Sequence, residues 1–242
     1  MTVGIIAVTQ PLIGTAYDSL TFDGGPWHYL TVEEFIAFVA RVSNPSNQNN
    51  NLTATKLLKY LAKNKHWSPF EMVNVVMEIN STRDIVRQIL RHRSFSFQEF
   101  SQRYADPTQM AFVTREARKQ DPKNRQNSFI VDDKPLQDEW NVVQEGVTQL
   151  AKKAYDWAIY NGIAKEQARV VLPEGLTPSR LYMNGTLRSW IHYCDLRMKA
   201  ATQKEHREVA EGCWHLITEK FPSLSEVLMG EPEWDDKGKF IR

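Results

Sequence analysis

The spacing of apolar residues near the start of the chain predicts a short strand followed by two helices. Residues 2–10 alternate weakly between apolar and polar side chains and the run ends at Pro11, as expected for a strand. Thr31 stands three positions before Glu34, which is the spacing of a capping box, and an apolar stripe with helical period follows. A second amphipathic helix is predicted over residues 53–64.

The next part of the chain changes from a period of two to a helical period. Residues 70–80 alternate and predict a strand, after which Ser81 is expected to cap a helix that carries Asp84 at its third position. Residues 110–113 predict another strand, and the polar stretch 117–135 predicts an exposed loop. The side chains that should face the core from the strand at 70–80 are Val73, Val75, Met77 and Ile79.

The second half of the chain is predicted to be mostly helical. A long amphipathic helix is expected to begin at Pro135 and to end near Gly162, and shorter helices are expected over 164–172, 185–200 and 203–220. The apolar stripe of the long helix consists of Trp140, Val143, Val147, Leu150, Ala154 and Trp157. The pattern as a whole predicts an α+β fold with a small, mostly antiparallel sheet and a helix-rich second half.

The length and composition are those of an ordinary globular protein. The chain has 242 residues, of which 42% are hydrophobic and 24% are charged. No internal repeat and no linker rich in proline, glycine or serine divides it. Residues 1–242 are therefore predicted to form a single domain, with 228–242 as a peripheral tail.

The charges are almost balanced, with 30 Lys and Arg against 29 Asp and Glu and a net charge of +1. A dedicated nucleic-acid binder usually carries a broad basic surface, so no nucleic-acid partner is predicted. No apolar run approaches the roughly 20 residues of a membrane span, and the N-terminus carries no basic leader. A soluble, cytoplasmic protein without a membrane partner is expected.

The cysteine content gives no reason to expect a metal site. Cys194 and Cys213 form no CxxC pair and have none of the Cys/His spacings that are typical of zinc sites. Their number and positions do not support a disulfide either. Both thiols are expected to be reduced and buried.

The densest basic segment spans residues 91–104 and begins with Arg91, His92 and Arg93. A segment of this kind is typical either of a solvated surface or of a site that binds anions. Gln88 and Arg91 are three residues apart on the helix that leads into this segment, so they are expected to share a helical face.

Two further observations favour an anion site. If residues 95–104 are extended, Glu99, Ser101 and Arg103 point to the same side. A guanidinium among apolar residues needs an anionic or planar partner, because an unpaired buried charge is costly. The arginines in such surroundings are Arg169, Arg188 and Arg197. Together these groups predict a phosphorylated ligand that also forms hydrogen bonds.

With the sequence RHR, seven residues and then serine, the chain resembles the flavin-dependent thymidylate synthases. The defining residues are Arg91, His92, Arg93 and Ser101. Further family-like blocks are ARVS at 40–43, HWSPFE at 66–71, ARVVLP at 168–173, LRSWIHYCDLR at 187–197, and Gln203 and Glu205 in the helix that follows. The resemblance extends over roughly residues 3–215, with no clear family signal at 114–140.

The resemblance implies an enzyme that makes dTMP from dUMP. Methylenetetrahydrofolate is the carbon donor of the family, and FAD recharged by NADPH is its source of hydride. Members have an α+β fold and are homotetramers whose active sites form between subunits. The chain is accordingly expected to be a methyltransferase of nucleotide biosynthesis.

The resemblance also assigns candidate roles to individual residues. The expected dUMP contacts are Gln88, Arg91, Glu99, Phe100, Ser101, Gln102, Arg103, Arg169 and Arg197, with Arg169 reaching the phosphate from a neighbouring subunit. The expected FAD contacts are Ser43, Ser68, Arg91, His92, Arg93, Glu99, Thr186, Arg188 and His192. Thr186 departs from the asparagine of many members, and His192 is a position where members carry either Asn or His.

Arg197 resembles the arginine that activates the uracil, so it is the predicted catalytic residue. A guanidinium beside N3 and O2 stabilises negative charge on the pyrimidine and makes C5 nucleophilic without a cysteine nucleophile. Ser101 is expected to position the substrate rather than to attack it, since no neighbouring base is evident. Two interpretations of His66 remain open, a structural role and a role near the flavin or folate.

Two alternative functions remain open from the sequence. Basic residues interleaved with aromatics also occur in proteins that bind single-stranded nucleic acids. A family member that binds flavin and nucleotide without turnover is the other alternative, although all the main arginines are present. No GxGxxG element is present, so a Rossmann-type flavin site is not predicted.

Overall fold

A four-stranded antiparallel sheet, in the order β1-β2-β6-β3, is the framework on which the helices pack. The structure is a computed structural model that describes residues 1–13 and 30–227, so the predicted tail at 228–242 lies outside the described residues. Its strands are β1 (Thr2–Val8), β2 (Asn74–Thr82), β3 (Ser96–Glu99), β4 (Arg118–Gln120), β5 (Ser128–Ile130) and β6 (Pro178–Thr186). Its helices are α1 (Val32–Ala40), α2 (Ala54–Lys63), α3 (Arg83–Ile89), α4 (Lys134–Tyr160), α5 (Lys165–Ala168), α6 (Leu187–Arg197) and α7 (Lys204–Lys220).

The core lies between one face of the sheet and the helices. Along β2 the predicted alternation is confirmed, because Val75, Met77 and Ile79 are fully buried. Met77 and Ile79 pair in register with Met183 and Leu181 of β6, which are buried on the same face. Apolar side chains of α1, α2, α3, α6 and α7 complete this core, so the α+β prediction is confirmed.

Several predicted elements near the N-terminus are confirmed. The strand expected at 2–10 is β1, and the helix expected at 53–64 is α2. The capping box of α1 is present, with the Thr31 hydroxyl and the Glu34 carboxylate each accepting a hydrogen bond from the other residue's backbone N–H. The strand expected from residue 70 begins at Asn74, because the Pro-containing segment before it forms a 3₁₀ turn.

The start of α3 and the segment after the basic triplet differ from the prediction. Thr82, and not Ser81, is the N-cap of α3, and its hydroxyl donates to Asp84 Oδ1 over 2.6 Å. The extended conformation expected over 95–104 is limited to β3, because the chain turns after Ser101.

The middle and second half of the chain contain strands that the apolar pattern does not reveal. Residues 110–113 form no strand, whereas the loop predicted over 117–135 contains the antiparallel pair β4 and β5. The helix expected over 164–172 is α5 followed by a 3₁₀ turn, and the helix expected over 185–200 is shorter because β6 extends to Thr186. The helix expected over 203–220 is confirmed as α7.

The long helix α4 is confirmed, but its predicted apolar stripe is not buried. Leu150 is 70% exposed and Trp157 is 63% exposed. The face that α4 packs against the chain is narrower and consists of Gln144, Ala151, Tyr155 and Ala158. A second apolar face of this helix therefore remains open to solvent in the isolated chain.

No helix in the described ranges combines the length and apolar composition needed to cross a membrane. The same ranges contain no group of three or more histidine, cysteine or carboxylate side chains placed to hold a metal ion.

Candidate active site

The basic triplet forms the turn between α3 and β3. The helix ends at Ile89, and the turn continues with a hydrogen bond from Arg91 N–H to Gln88 O of 3.3 Å. The expected common helical face is wrong, since Gln88 points toward α7 while Arg91 is exposed. Arg91 and Arg93 form no ion pair with any described residue, which leaves two cationic groups available for a ligand.

Arg197 lies at the last turn of α6, directly against the triplet. Its Nε–H donates to His92 Nε2 over 2.8 Å, and its terminal nitrogens form no hydrogen bond within the described part of the chain. The His92 ring also packs edge-on against Tyr193, with ring centroids 4.9 Å apart. The guanidinium is therefore fixed at one edge and free at the other.

His92 is a neutral hydrogen-bond acceptor in this arrangement. Burial and, to a lesser extent, the charge of the nearby Arg197 guanidinium together lower the pKa of His92 from 6.5 to about 4. An arginine Nε–H can only donate, so Nε2 of His92 must be unprotonated and the ring proton must reside on Nδ1. Near neutral pH the pair therefore consists of a charged Arg197 guanidinium and a neutral His92 ring.

A buried polar network continues behind this pair. His206 is fully buried, and its ring nitrogens lie 3.2 Å from Gln88 Oε1 and 3.2 Å from the Tyr193 hydroxyl. Gln88 Nε2 donates to Gln203 Oε1 over 2.8 Å. Neither His206 nor Tyr193 is among the site residues predicted from the sequence. For His206 the signal was its place on the apolar face of α7, three positions before Val209.

The Gln203 amide leads in turn to a cluster of ion pairs. Gln203 Nε2 donates to Glu205 Oε2 over 2.9 Å, and this carboxylate pairs with Arg115 at 3.3 Å and also with Arg118. Arg115 also contacts Asp84 at 2.8 Å, which joins the segment before β4 to α3. Although burial acts in the opposite direction, hydrogen bonds from Arg118 and Gln203 and the charge of Arg115 hold the pKa of Glu205 below its usual range.

A second group of predicted site residues surrounds the N-terminal end of α3. Glu99 lies 3.4 Å from Arg83 and 3.7 Å from Arg87, and it accepts a hydrogen bond from the Ser179 hydroxyl. Because the chain turns at Ser101, the expected alignment of Glu99, Ser101 and Arg103 along one extended strand is wrong. The Ser101 hydroxyl instead accepts from the backbone N–H of Arg103 over 3.4 Å.

A cleft of about 370 Å³ opens beside this group. Arg83, Gln102 and Arg169 line it together with Glu166 and Glu174. Gln102 is only 3% exposed, and its Nε2 has no hydrogen-bond acceptor among the described residues. Two guanidinium groups and an unused buried amide therefore meet in one cleft of one chain.

A third group lies along α6 and the 3₁₀ turn at Ser68–Met72. Arg188 pairs with Glu71 of that turn. The exposed ring of His192 packs edge-on against Trp67 with centroids 5.1 Å apart. Ser68 is exposed on the same turn.

The basic turn is tied to α6 by hydroxyl groups. Thr186 caps the helix, with its hydroxyl accepting from the Ser189 backbone N–H over 3.2 Å. The Ser189 hydroxyl in turn donates to Ser94 O over 3.3 Å. Thr186, a predicted flavin contact, is therefore linked through Ser189 to the turn that follows the triplet.

Three predicted site residues form no side-chain hydrogen bond or ion pair with any described residue. Ser43 is exposed in the turn after α1, and His66 is exposed after α2, where its ring packs edge-on against Tyr60 with centroids 6.1 Å apart. The backbone N–H of Phe100 donates to Arg180 O over 2.8 Å, so this residue extends the edge of the sheet.

Neither cysteine is placed to act as a nucleophile. Cys194 and Cys213 are free, fully buried thiols in the helical layer. Burial raises the pKa of both thiols above their usual range, so neither is ionised near neutral pH. The thiolate is the reactive form of cysteine, and this environment suppresses it.

Sequence comparisons connect this arrangement with known proteins. The family model described as thymidylate synthase complementing protein matches residues 28–223. A probable flavin-dependent thymidylate synthase of Paramecium bursaria Chlorella virus 1 is 44% identical over 228 residues, covering 94% of this chain and 99% of that protein. A flavin-dependent thymidylate synthase of Synechocystis sp. is 45% identical over 234 residues, covering 97% of this chain and 100% of that protein.

Solved structures with the same fold include a UMP/dUMP methylase, PolB from Streptomyces cacaoi. Its complex with 5-Br dUMP superimposes with a TM-score of 0.75 at 24% identity, covering 94% of both chains. The complex of the same protein with 5-Br UMP gives a TM-score of 0.72 at 22% identity, covering 96% of both chains. At this identity the likeness establishes the fold.

Proposed function

The chain belongs to the flavin-dependent thymidylate synthase family, and from that premise we propose how its own residues carry out the reductive methylation of dUMP. The reaction attaches the one-carbon unit of methylenetetrahydrofolate to C5 of the uracil and yields dTMP. Bound FAD supplies the hydride for this reaction, and NADPH restores the reduced flavin. The enzyme is a methyltransferase that uses no cysteine nucleophile.

Arg197 activates the uracil in this proposal. Its Nε–H is committed to His92, so the unpaired terminal nitrogens form the edge that faces a ligand. Two parallel N–H donors match the O2 and N3 edge of a pyrimidine and stabilise the negative charge that develops there. Charge drawn onto that edge makes C5 the nucleophilic carbon, and the fixed Arg197–His92 pair is the observation that carries the proposal.

The residues around α6 fit FAD. The cofactor is a dinucleotide with a charged pyrophosphate, and Arg91 and Arg93 are exposed and unpaired among the described residues. On α6, Arg188 and His192 offer a cation and an exposed ring. The remaining proposed FAD contacts are Ser43, Ser68, His92, Glu99 and Thr186.

The phosphate of dUMP is proposed to bind in the cleft beside α3. Arg169 and Gln102 both line it, and guanidinium and amide N–H groups are the donors that suit a phosphate dianion. Arg103 is exposed nearby, and its guanidinium pairs with Glu166 at 3.5 Å. The remaining proposed dUMP contacts are Gln88, Arg91, Glu99, Phe100 and Ser101.

We propose a homotetramer whose sites are shared between subunits. Arg83, which lines the cleft, and Gln88, which belongs to the network behind Arg197, are five residues apart on α3 and so lie about 140° apart around the helix axis. Among the described contacts, none joins Arg169 to Arg197. A cleft from one chain facing the Arg197 edge of another would bring both to one nucleotide, and the exposed apolar face of α4 offers a surface for assembly.

The test is dTMP formation by Arg197→Ala in the presence of FAD, NADPH, methylenetetrahydrofolate and dUMP. We expect kcat to fall by a factor of about 100 or more, because one preorganised donor of this kind is worth about 3 kcal/mol in the transition state. Arg207→Ala is the matched control, since Arg207 lies on α7 and pairs at 3.7 Å with Glu211.

Binding measurements make the outcome of this test specific. The FAD content, measured from the flavin absorbance, and the affinity for dUMP should persist in Arg197→Ala if the residue acts on the reacting charge. A variant that keeps the native rate would remove Arg197 from the mechanism. A native protein that binds FAD and dUMP but forms no dTMP would contradict the activity itself.

A further inference from the structure

In the buried network behind Arg197, the chemistry of the side chains decides which group donates each hydrogen bond and which accepts it. The Glu205 carboxylate can only accept, so the Gln203 amide must present its NH₂ group to it and its oxygen to Gln88. Gln88 must then donate through Nε2, which leaves Oε1 to face His206. His206 consequently donates through Nδ1 and accepts the Tyr193 hydroxyl proton through Nε2. Every hydrogen bond from Tyr193 to Glu205 is thereby assigned one direction.

The ionised end of this network is held in place by the segment before β4 and by β4 itself. Arg115 and Arg118 both contact Glu205, which is 8% exposed. Two guanidinium groups keep the carboxylate charged, and a charged carboxylate cannot exchange roles with the Gln203 amide. The direction of the network is therefore not free to reverse.

This direction constrains the carboxamide of Gln88. Rotating that amide by 180° would set its oxygen against the oxygen of Gln203, a mismatched contact in a partly buried place. It would also set its NH₂ group against Nδ1 of His206, which could accept only if the ring proton moved to Nε2. The native rotamer leaves Gln88 with one unused N–H and one unused lone pair in defined directions.

We propose that His206 is a positioning residue for nucleotide binding, which fixes the Gln88 carboxamide so that its unused N–H is presented to an oxygen of dUMP. The inference rests on the proposed function, in which Gln88 contacts dUMP. His206 itself is fully buried and does not reach the ligand. It acts together with Gln203, which holds the other end of the same amide over 2.8 Å.

Two substitutions of His206 separate this role from a purely structural one. In His206→Asn the side-chain amide overlays Nδ1 and can donate to Gln88, while the bond to Tyr193 is lost. In His206→Gln the amide extends to the place of Nε2 and can accept from Tyr193, while the bond to Gln88 is lost. Each variant loses one buried hydrogen bond, so a structural role predicts equal effects on the melting temperature and on ligand binding.

The expected result is a difference in dUMP affinity between the two variants. We expect His206→Gln to raise the Kd for dUMP about tenfold, the worth of one hydrogen bond, and His206→Asn to remain near the native value. Tyr193→Phe should behave like His206→Asn, because it also spares the Gln88 contact. Flavin absorbance in each variant verifies that the FAD content is retained.

A double-mutant cycle completes the test. In a Gln88→Ala background, the effect of His206→Gln on dUMP affinity should vanish, because the amide that His206 orients is absent. Gln203→Ala is a second variant that releases the same amide, and we expect it to weaken dUMP binding as His206→Gln does. It provides the readout if His206→Gln does not fold.

The outcomes distinguish this inference from the proposed function. If the native chain binds dUMP and forms dTMP but His206→Gln and His206→Asn have equal affinity for dUMP, the positioning role is overturned. If the effect of His206→Gln survives in the Gln88→Ala background, the role is also overturned. Failure of the native chain to bind dUMP would contradict the proposed function instead.

Discussion

The hydrogen bond between Arg197 and His92 depends on the protonation state of the histidine. A protonated His92 would lose the acceptor that holds the Arg197 Nε–H at 2.8 Å, and its charge would repel the guanidinium. Because burial and Arg197 hold the pKa of His92 at about 4, the ring stays neutral over the physiological range. Arg197 thus helps to keep His92 unprotonated, and unprotonated His92 in turn holds the Arg197 guanidinium in place.

The lowered pKa values of His92 and His206 predict that the folded protein is destabilised by mild acid. Burial, followed by the charge of Arg197, lowers the pKa of His92 to about 4, and burial, Arg197 and His92 lower that of His206 to about 3. Histidines of an unfolded chain titrate near pH 6.5. Below about that pH, these two side chains bind protons in the unfolded state but not in the folded state. This contribution to the free energy of unfolding is complete above that pH and falls as the pH drops toward 4 and 3.

Urea unfolding at pH 7, 6 and 5 measures this effect. Each histidine contributes a slope of at most about 1.4 kcal/mol per pH unit, and less for the half-buried His92 because solvent screens it. His206→Asn should make the dependence shallower, whereas His215→Asn, at an exposed position of α7, serves as the control. A free energy of unfolding that stays constant between pH 7 and 5 would show that neither histidine is held neutral.

The sequence predicts the residues of the site better than it predicts their contacts. The family motif led to Gln88, Arg91 and Arg197, because a motif preserves residue type and spacing. It did not reveal that Gln88 points away from Arg91, since the helix ends at Ile89. His206 was missed because a lone histidine on an apolar helix face indicates core packing until its neighbours are known.

At the scale of elements, Gly185 of β6 allows the ring of Phe95, just after the basic triplet, to pack closely against the strand. A Cβ on Gly185 would overlap the ring of Phe95, which follows the triplet and packs against Trp190 with ring centroids 4.9 Å apart. Gly185→Ala should therefore displace Phe95 and the turn that precedes it. We expect a loss of about 1–3 kcal/mol in the free energy of unfolding, together with a lower FAD content.

Gly146→Ala is the matched control for this substitution. Gly146 lies in the middle of α4, and a Cβ there would have nothing within 4 Å. Alanine favours a helix over glycine by up to about 1 kcal/mol, so this variant should be neutral or more stable. If Gly185→Ala matched it in both stability and FAD content, β6 and the triplet would not be coupled through Phe95.

The apolar pattern of the sequence predicts those elements in which buried and exposed residues alternate with one regular period. Strand β2 alternates cleanly because one of its faces packs against the helices. Strand β6 was missed although it pairs with both β2 and β3, because Pro178, Asn184 and Gly185 interrupt its apolar residues. The pair β4 and β5 was missed for a related reason, since exposed three-residue strands bury too few side chains to leave a pattern.

At the scale of the whole molecule, the long helix α4 leaves part of its apolar surface uncovered by its own chain. Its inward face rests on α5 and the 3₁₀ turn after it, through Tyr155 and Ala158. The adjacent stripe that includes Val147, Leu150 and Trp157 is exposed. A long helix with an uncovered apolar stripe is typical of an assembly surface, so this stripe is the proposed contact between subunits.

Leu150→Glu tests this assignment. Leu150 is 70% exposed, so the substitution should change the free energy of unfolding of the isolated chain by less than about 0.5 kcal/mol. A carboxylate in an apolar subunit contact is costly, so we expect a smaller species in light scattering coupled to size-exclusion chromatography. Glu145→Lys, on the opposite exposed side of the same helix, is the control and should keep the native size.

The activity of that smaller species decides whether the sites are shared. Arg169 and Gln102 line the cleft, whereas Arg197 and His92 form the activating pair, and no described contact joins the two sets. If one nucleotide needs both sets from different chains, Leu150→Glu should lose dTMP formation in proportion to its dissociation and regain it at protein concentrations that restore the native size. A dissociated variant with native activity would instead place a complete site within one chain.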